Sequence, residues 1–157
     1  MSLGSCGYSL RGSDMLSSKF ETIQLSSQQP NSEFSRLLRR SLEVANVNVE
    51  AILAAGIESV ATDLPVLTIS PERIVNRPVS INPRARAAQY EMRVSISIAL
   101  NRAEEILISP ETLYVERVYF EDLENISGNQ EEIKIIATEM RRELVNQLMR
   151  RLEAVPN

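Results

Sequence analysis

The clearest pattern in the chain is a period of two over residues 89–100. Apolar side chains fall on one face there, while charged and small residues fill the alternate positions; the apolar set is Tyr90, Met92, Val94, Ile96, Ile98 and Leu100. This alternation predicts a β-strand with one buried and one polar face. Shorter apolar runs predict further strands at residues 20–25, at residues 66–76 with a break near Pro71, and at residues 112–120.

Two segments repeat apolar residues at the spacing of an α-helix. The first follows Ser32, the predicted N-cap, and its stripe includes Phe34, Leu37, Leu38, Leu42 and Ala45. The second is predicted over residues 127–155, where Ser127 and Gln130 have the spacing of a capping box. Its stripe consists of Ile133, Ile136, Ala137, Met140, Leu144, Leu148 and Leu152. Both stripes need an apolar surface to cover.

These elements predict one α+β domain. Three consecutive strands with short loops favour an antiparallel meander, and two amphipathic helices can cover its apolar face. We therefore expect a two-layer sandwich in which two helices pack on one face of a mainly antiparallel four-stranded sheet. Residues 46–63 fit neither period and are predicted to be a connection. A length of 157 residues with 43% apolar and 24% charged residues suits a single domain, placed at residues 20–157.

The first residues suggest lipid attachment. Leu3-Gly4-Ser5-Cys6 has the order read by the bacterial lipoprotein signal peptidase, after which the cysteine becomes the acylated first residue. Residues 1–5 are then the remainder of a signal peptide or of an expression tag, and residues 6–19 a lipid tether. The run of residues 7–18 is rich in Gly and Ser and is expected to be extended. The alternative is that Cys6 is an incidental cysteine.

The composition of the chain excludes most of the common types of catalytic site. Histidine is absent and cysteine occurs once, which excludes a His-dependent triad, a Cys–His pair, a zinc cluster and an internal disulfide within this chain. Neighbouring carboxylates such as Glu104 and Glu105 are interpreted as solvated loop residues. Aromatic residues make up 4% and the net charge is −4, which argues against a nucleic-acid binder. We expect neither an enzyme nor a cofactor.

Positive charge is concentrated in residues 71–93, which hold five arginines and two glutamates in an otherwise acidic chain. Such a patch is typical of a surface with an anionic partner. The candidate binding residues are Arg84 and Arg86, in the loop before the strongest strand, with Arg77 and Arg93 as further candidates. The alternative is a solvated rim whose arginines pair with surface carboxylates.

Several segments resemble one known family. The run from Cys6 to Gly12, Cys-Gly-Tyr-Ser-Leu-Arg-Gly, is similar to the mature start of the LPS-assembly lipoprotein LptE family, also called rare lipoprotein B. Ala88-Gln89-Tyr90-Glu91-Met92 and Val118-Tyr119-Phe120 also fall where that family has similar residues. The resemblance covers residues 6–155.

The resemblance implies an outer-membrane lipoprotein acylated at Cys6, facing the periplasm or lying within a barrel lumen. It implies that the partner is the β-barrel translocon LptD, which the protein plugs, and that lipopolysaccharide is bound near Arg84 and Arg86. Where the family is expected to have a second basic residue before the final helix, the matching position in this chain is Asn129 or a neighbour. A different class of function stays open: a periplasmic auxiliary lipoprotein of a lipid-trafficking ABC transport system.

Overall fold

The computed structural model of the protein describes residues 13–52, 63–81, 87–122 and 125–156. These residues form three helices and six strands in the following order: α1 (Ser13–Lys19), β1 (Thr22–Ser27), α2 (Glu33–Val44), β2 (Asn48–Ile52), β3 (Pro65–Ile69), β4 (Arg73–Ile81), β5 (Ala87–Arg102), β6 (Glu105–Asp122) and α3 (Ile126–Glu153). The predicted α+β class is confirmed.

The six strands form one mixed sheet with β5 at its centre. Strand β6 pairs antiparallel with β5 along one edge. On the other edge, β3 pairs with residues 98–102 of β5 and β4 with residues 88–95, both antiparallel. The sheet continues from β3 to β1 and β2 through parallel pairs. The expected four-stranded sheet is therefore too small, and the sheet is mixed: three strand pairs are antiparallel, and the two pairs that β1 forms are parallel.

Two local causes explain the extra strands. The predicted second strand is interrupted by residues 70–72, around Pro71, and its halves become β3 and β4. This break was expected, because a proline cannot donate a hydrogen bond to a strand ladder. Strand β2 lies within the predicted connection, and none of its five residues is fully buried. An edge strand with no buried face has no hydrophobic period by which sequence could reveal it. Residues 53–62 of that connection lie outside the described residues.

The predicted buried face of β5 is confirmed. Met92, Val94, Ile96, Ile98 and Leu100 are each at most 2% exposed. The helices cover this face of the sheet. Helix α2 buries Phe34, Leu38 and Leu42, and helix α3 buries a stripe of residues that are one turn apart. The buried α3 stripe includes Ala137, Met140, Leu144, Leu148 and Leu152, as the helical period predicts.

The helix starts agree with prediction in α2 but not in α3. The Ser32 hydroxyl accepts a hydrogen bond from the Ser35 backbone N–H at 3.1 Å, as an N-cap does. In α3 the cap is Asn125, whose side-chain oxygen accepts from the Gly128 N–H at 3.1 Å. Helix α3 therefore begins before Ser127, and the predicted capping box is wrong because an amide side chain two residues earlier makes the cap.

Residues 13–18 are not extended as expected, because Ser13–Lys19 forms helix α1. The rest of the run, residues 7–12, lies outside the described residues. Leu16 is fully buried in the common core. Lys19 anchors the helix by donating from its ammonium to the backbone oxygens of Glu153 and Val155, the latter at 2.7 Å. One buried leucine and one lysine on carbonyls at the end of α3 stabilise a short helix that its Ser-rich sequence did not indicate.

Arg141 joins three parts of the fold. Its guanidinium holds Glu72, just before β4, through contacts of 2.8 Å from both Nε and Nη2, and its Nη1 lies 2.7 Å from Glu33 at the start of α2. The side chains of Arg141 and Glu72 are only 15% and 13% exposed. The hydrogen bonds that Arg141 donates to Glu72 are the largest cause that raises the pKa of Arg141, while burial opposes them. The arginine therefore stays charged and clamps α3 to α2 and the sheet.

None of the helices in the described part of the chain combines the length and apolarity needed to cross a membrane.

We expect Leu144→Ala to lower the free energy of unfolding by about 2 to 5 kcal/mol, because Leu144 is fully buried and the substitution leaves a cavity. Arg142→Ala, on the exposed side of the same helix, should cost less than about 1 kcal/mol. Urea denaturation measures both values. Equal losses would show that the register of α3 is wrong.

Arg141→Ala should lower the free energy of unfolding by about 2 kcal/mol, because it leaves the carboxylate of Glu72 poorly solvated and without its cation. Lys134→Ala serves as the control. Lys134 pairs with Glu131 on the surface, both about 70% exposed, and its loss should cost less than about 0.5 kcal/mol. The comparison uses the same denaturation assay, and a similar small loss for both variants would contradict the clamp.

Candidate functional site

The face of β4, β5 and β6 that points away from the helices is the candidate site, and we call it the outer face. Register pairs place its residues in rows across the three strands, because side chains directly opposite each other point the same way. One row contains Val75, Arg93 and Glu116, and the next contains Arg77, Glu91 and Val118. Tyr114 and Phe120 lie on either side of these rows along β6.

The two predicted arginines on the outer face are both ion-paired. Arg77 approaches Oε1 of Glu91 with Nε at 2.6 Å and Nη2 at 2.5 Å. Arg93 approaches Oε1 of Glu116 in the same way, with Nε at 2.6 Å. Each pair joins two neighbouring strands at directly opposite positions. For Arg77 and Arg93, the alternative interpretation of arginines paired with surface carboxylates therefore describes the observed contacts.

Arg93 also lies over the ring of Tyr114, with its guanidinium carbon 4.8 Å from the ring centre. This distance is within the range of a cation–π contact. The pKa of Arg93 is raised, with the hydrogen bond to Glu116 as the largest cause. Arg93 therefore stays positively charged at neutral pH.

Apolar side chains are unusually exposed beside these charges. Tyr114, Val118 and Phe120 have 51%, 49% and 65% of their surface accessible, and Val75 has 40%. The adjacent inward positions of β6, Leu113, Val115 and Tyr119, are buried. Strand β6 is thus apolar on both faces, which explains why its alternation is unclear in the sequence. These exposed apolar groups alternate with the charged residues of the two rows, which gives the outer face a mixed apolar and charged surface.

The remaining predicted site residues are the cysteine of the lipid tether and the two arginines between β4 and β5. Cys6, Arg84 and Arg86 lie outside the described residues. Ile81 pairs with Ala88, so residues 82–86 link the adjacent ends of β4 and β5. The acidic end of β6 reaches the same place, since Ala88 pairs with Glu121 and Ala87 with Asp122. The backbone thus brings two carboxylate-bearing residues next to the strand that follows Arg86.

Asn129 is not a surface position. It lies in the first turn of α3 and is 8% exposed. The second basic position that the resemblance implies therefore has no exposed counterpart at Asn129 itself.

The sequence alone does not show which arginines two carboxylates of the outer face pair with. The contact of Glu91 with Arg77 requires the β4–β5 register. Glu116 lies 23 residues after Arg93, and their contact requires the β5–β6 register. The alternation of Glu116 with Tyr114 and Val118 is the one signal that could have placed it on the outer face.

A shallow cavity of about 360 Å³ opens on the same side of the sheet, farther toward β1 and β3. Its polar lining includes Ser26, Gln28, Thr68, Ser70 and Ser97. These hydroxyl and amide groups can form neutral hydrogen bonds. Within the described ranges no group of three or more Cys, Asp or Glu side chains is arranged to hold a metal ion.

Solved structures of two bacterial lipoproteins share this fold. Rare lipoprotein B from Shewanella oneidensis superposes with a TM-score of 0.69 at 22% identity, covering 82% of this chain and 91% of that one. A minor lipoprotein from Acinetobacter baumannii superposes with a TM-score of 0.63 at 16% identity, covering 86% and 92%. At these identities the likeness establishes a shared fold.

Sequence comparison gives the family. The family model described as LptE, lipopolysaccharide-assembly, matches residues 20–152. The chain belongs to the LptE family. It is 26% identical to the LPS-assembly lipoprotein LptE of Pectobacterium atrosepticum, covering 94% of this chain and 76% of that protein. It is 24% identical to the protein of the same name from Photorhabdus laumondii, covering 97% and 79%.

Proposed function

We propose that this protein is an outer-membrane lipoprotein that docks in the LptD β-barrel as a plug, assists the assembly of that barrel, and binds lipopolysaccharide as it is placed in the outer leaflet. The observation that carries the proposal is the LptE family match over residues 20–152. It favours this role over that of an auxiliary lipoprotein of an ABC transport system. The mode of action is non-covalent, an accessory role without catalysis.

Lipopolysaccharide binding is assigned to Arg84 and Arg86, with Arg77 and Arg93 as further candidates. A guanidinium can hold a phosphate through two parallel hydrogen bonds, which makes arginine suited to phosphorylated lipid headgroups. Support comes from position: residues 82–86 connect β4 and β5, the two strands that carry Arg77 and Arg93. The exposed side chains of Val118 and Phe120 on β6 offer apolar contacts to hydrocarbon near that end of the sheet.

The anchor is assigned to acyl chains on Cys6. Six residues separate Cys6 from α1, and a fully extended link of that length spans at most about 25 Å. Leu16 of α1 is buried in the core, so the link ends at a fixed point of the domain. The domain is thereby held close to the membrane surface. Because one acyl chain anchors only marginally, several chains or the barrel contact are needed for stable attachment.

Full-length protein isolated from outer membranes should carry acyl chains on Cys6 and should copurify with LptD. Mass spectrometry of the N-terminal peptide and of the copurified proteins measures both. Unmodified Cys6 in protein from intact cells would contradict the lipid anchor. A copurified inner-membrane ABC transporter in place of LptD would select the alternative function.

Reversal of charge in Arg84→Glu together with Arg86→Glu should weaken lipopolysaccharide binding at least about tenfold and leave LptD association intact. The reason is the loss of two charged hydrogen bonds of about 1.5 to 3 kcal/mol each, where about 1.4 kcal/mol equals one decade of affinity. Added salt should weaken binding by the wild type as well.

The control is Arg39→Glu with Arg40→Glu, which makes the same charge change on α2. Normal lipopolysaccharide binding by the Arg84 and Arg86 variant at low ionic strength would show that these arginines form a solvated rim. Loss of LptD instead would assign them to the protein–protein contact.

A further inference from the structure

The carboxylates of the outer face lie beneath its arginines. The side chains of Glu91 and Glu116 are 20% and 33% exposed, whereas those of Arg77 and Arg93 are 62% and 45% exposed. Each carboxylate therefore lies closer to the sheet, and each guanidinium keeps a large part of its surface toward solvent. A ligand reaching this face meets the arginines first.

The strand register fixes these counter-ions. Arg77 and Glu91 are opposite each other on β4 and β5, and Arg93 and Glu116 are opposite each other on β5 and β6. Since Val75 is the direct partner of Arg93, Arg77 lies on the diagonal from it. Diagonal positions of this kind have Cβ atoms about 7 to 8 Å apart. The outer face thus carries two arginines at diagonal positions of neighbouring strands, each already holding a carboxylate.

We infer that Glu91 and Glu116 are internal counter-ions that weaken the binding of each anionic group to the outer face, so that only a ligand with several such groups binds tightly. This inference rests on the proposed function and deepens it. A ligand with one anionic group must compete with a carboxylate that the sheet holds at contact distance, so it gains little. A ligand with two or more clustered phosphates can replace both carboxylates at once, and its second contact forms at high effective concentration.

The neighbouring apolar groups specify the rest of the ligand. Val118 shares a row with Arg77 and Glu91, and Tyr114 lies under Arg93. A bound headgroup would therefore have exposed apolar surface directly beside it. The class of ligand that fits is an amphiphile that carries several phosphate groups next to hydrocarbon.

The test uses the full chain and the double variant E91Q/E116Q, which keeps side-chain size and removes both counter-ions. The control is E139Q/E143Q, which makes the same charge change at carboxylates paired with Arg117 on the helix side of the sheet. Thermal unfolding verifies that each variant is folded. Binding is measured at 0.15 M salt to lipopolysaccharide, to vesicles of phosphatidylglycerol in phosphatidylcholine, and to inorganic tripolyphosphate.

We expect E91Q/E116Q to bind lipopolysaccharide about tenfold more tightly than the wild type, because each exposed ion pair that a ligand must break weakens its binding by up to about fivefold. Binding to the singly charged phosphatidylglycerol vesicles should rise by at most about fivefold, because a ligand with one anionic group breaks only one ion pair. Addition of R77Q and R93Q should remove the gain. A gain with tripolyphosphate as large as that with lipopolysaccharide would assign the recognition to the phosphates rather than to the hydrocarbon.

An equal gain in E139Q/E143Q would overturn the inference, since overall charge would then explain it, and so would unchanged affinity in E91Q/E116Q for all three probes. If the wild type binds lipopolysaccharide and E91Q/E116Q binds no more tightly, the proposed function stands and the counter-ion role falls. If E91Q/E116Q gains affinity for vesicles and tripolyphosphate while no form of the protein binds lipopolysaccharide, the counter-ion role stands and that part of the proposed function falls.

Discussion

The register of β5 is the constraint on which the rest of the structure depends. This strand pairs with β3 and β4 on one edge and with β6 on the other. Its even-numbered residues from Met92 to Leu100 form the floor on which the helices pack. A shift of one residue would turn these five apolar side chains to solvent and put Arg93 and Ser97 in the core. The loss of burial makes any other register far less stable.

The same register creates the candidate site. When Met92 and Val94 point inward, Glu91 and Arg93 must point outward, and the neighbouring strands place Arg77 and Glu116 opposite them. The ion pairs of the outer face are therefore a consequence of core packing. Exposed pairs of this kind contribute little to stability, so their arrangement is free to serve binding. Arg141 with Glu72 is the contrasting case, a shielded pair that joins helix to sheet.

Membership of the LptE family places the protein in lipopolysaccharide assembly. The two sides of the sheet differ in a way that agrees with that task. One side of the sheet is covered by helices, and the other presents arginines, carboxylates and exposed apolar groups. Such a surface can exchange one set of polar contacts for another at small cost in free energy.

The sequence by itself determined the α+β class, the long strand β5 with its buried face, and the stripe of α3, because each carries a strong local period over many residues. It also indicated the family and the break at Pro71. Only the tertiary structure decided the mixed six-stranded sheet, the N-cap at Asn125 and the packing of α1. Strand β2 has no buried face, and α1 depends on Leu16 and Lys19 meeting the end of α3. The contacts of Arg77 and Arg93 were undecided for the same physical reason: a salt bridge between strands depends on register, and register is set by the burial of the whole sheet rather than by the charged residues themselves.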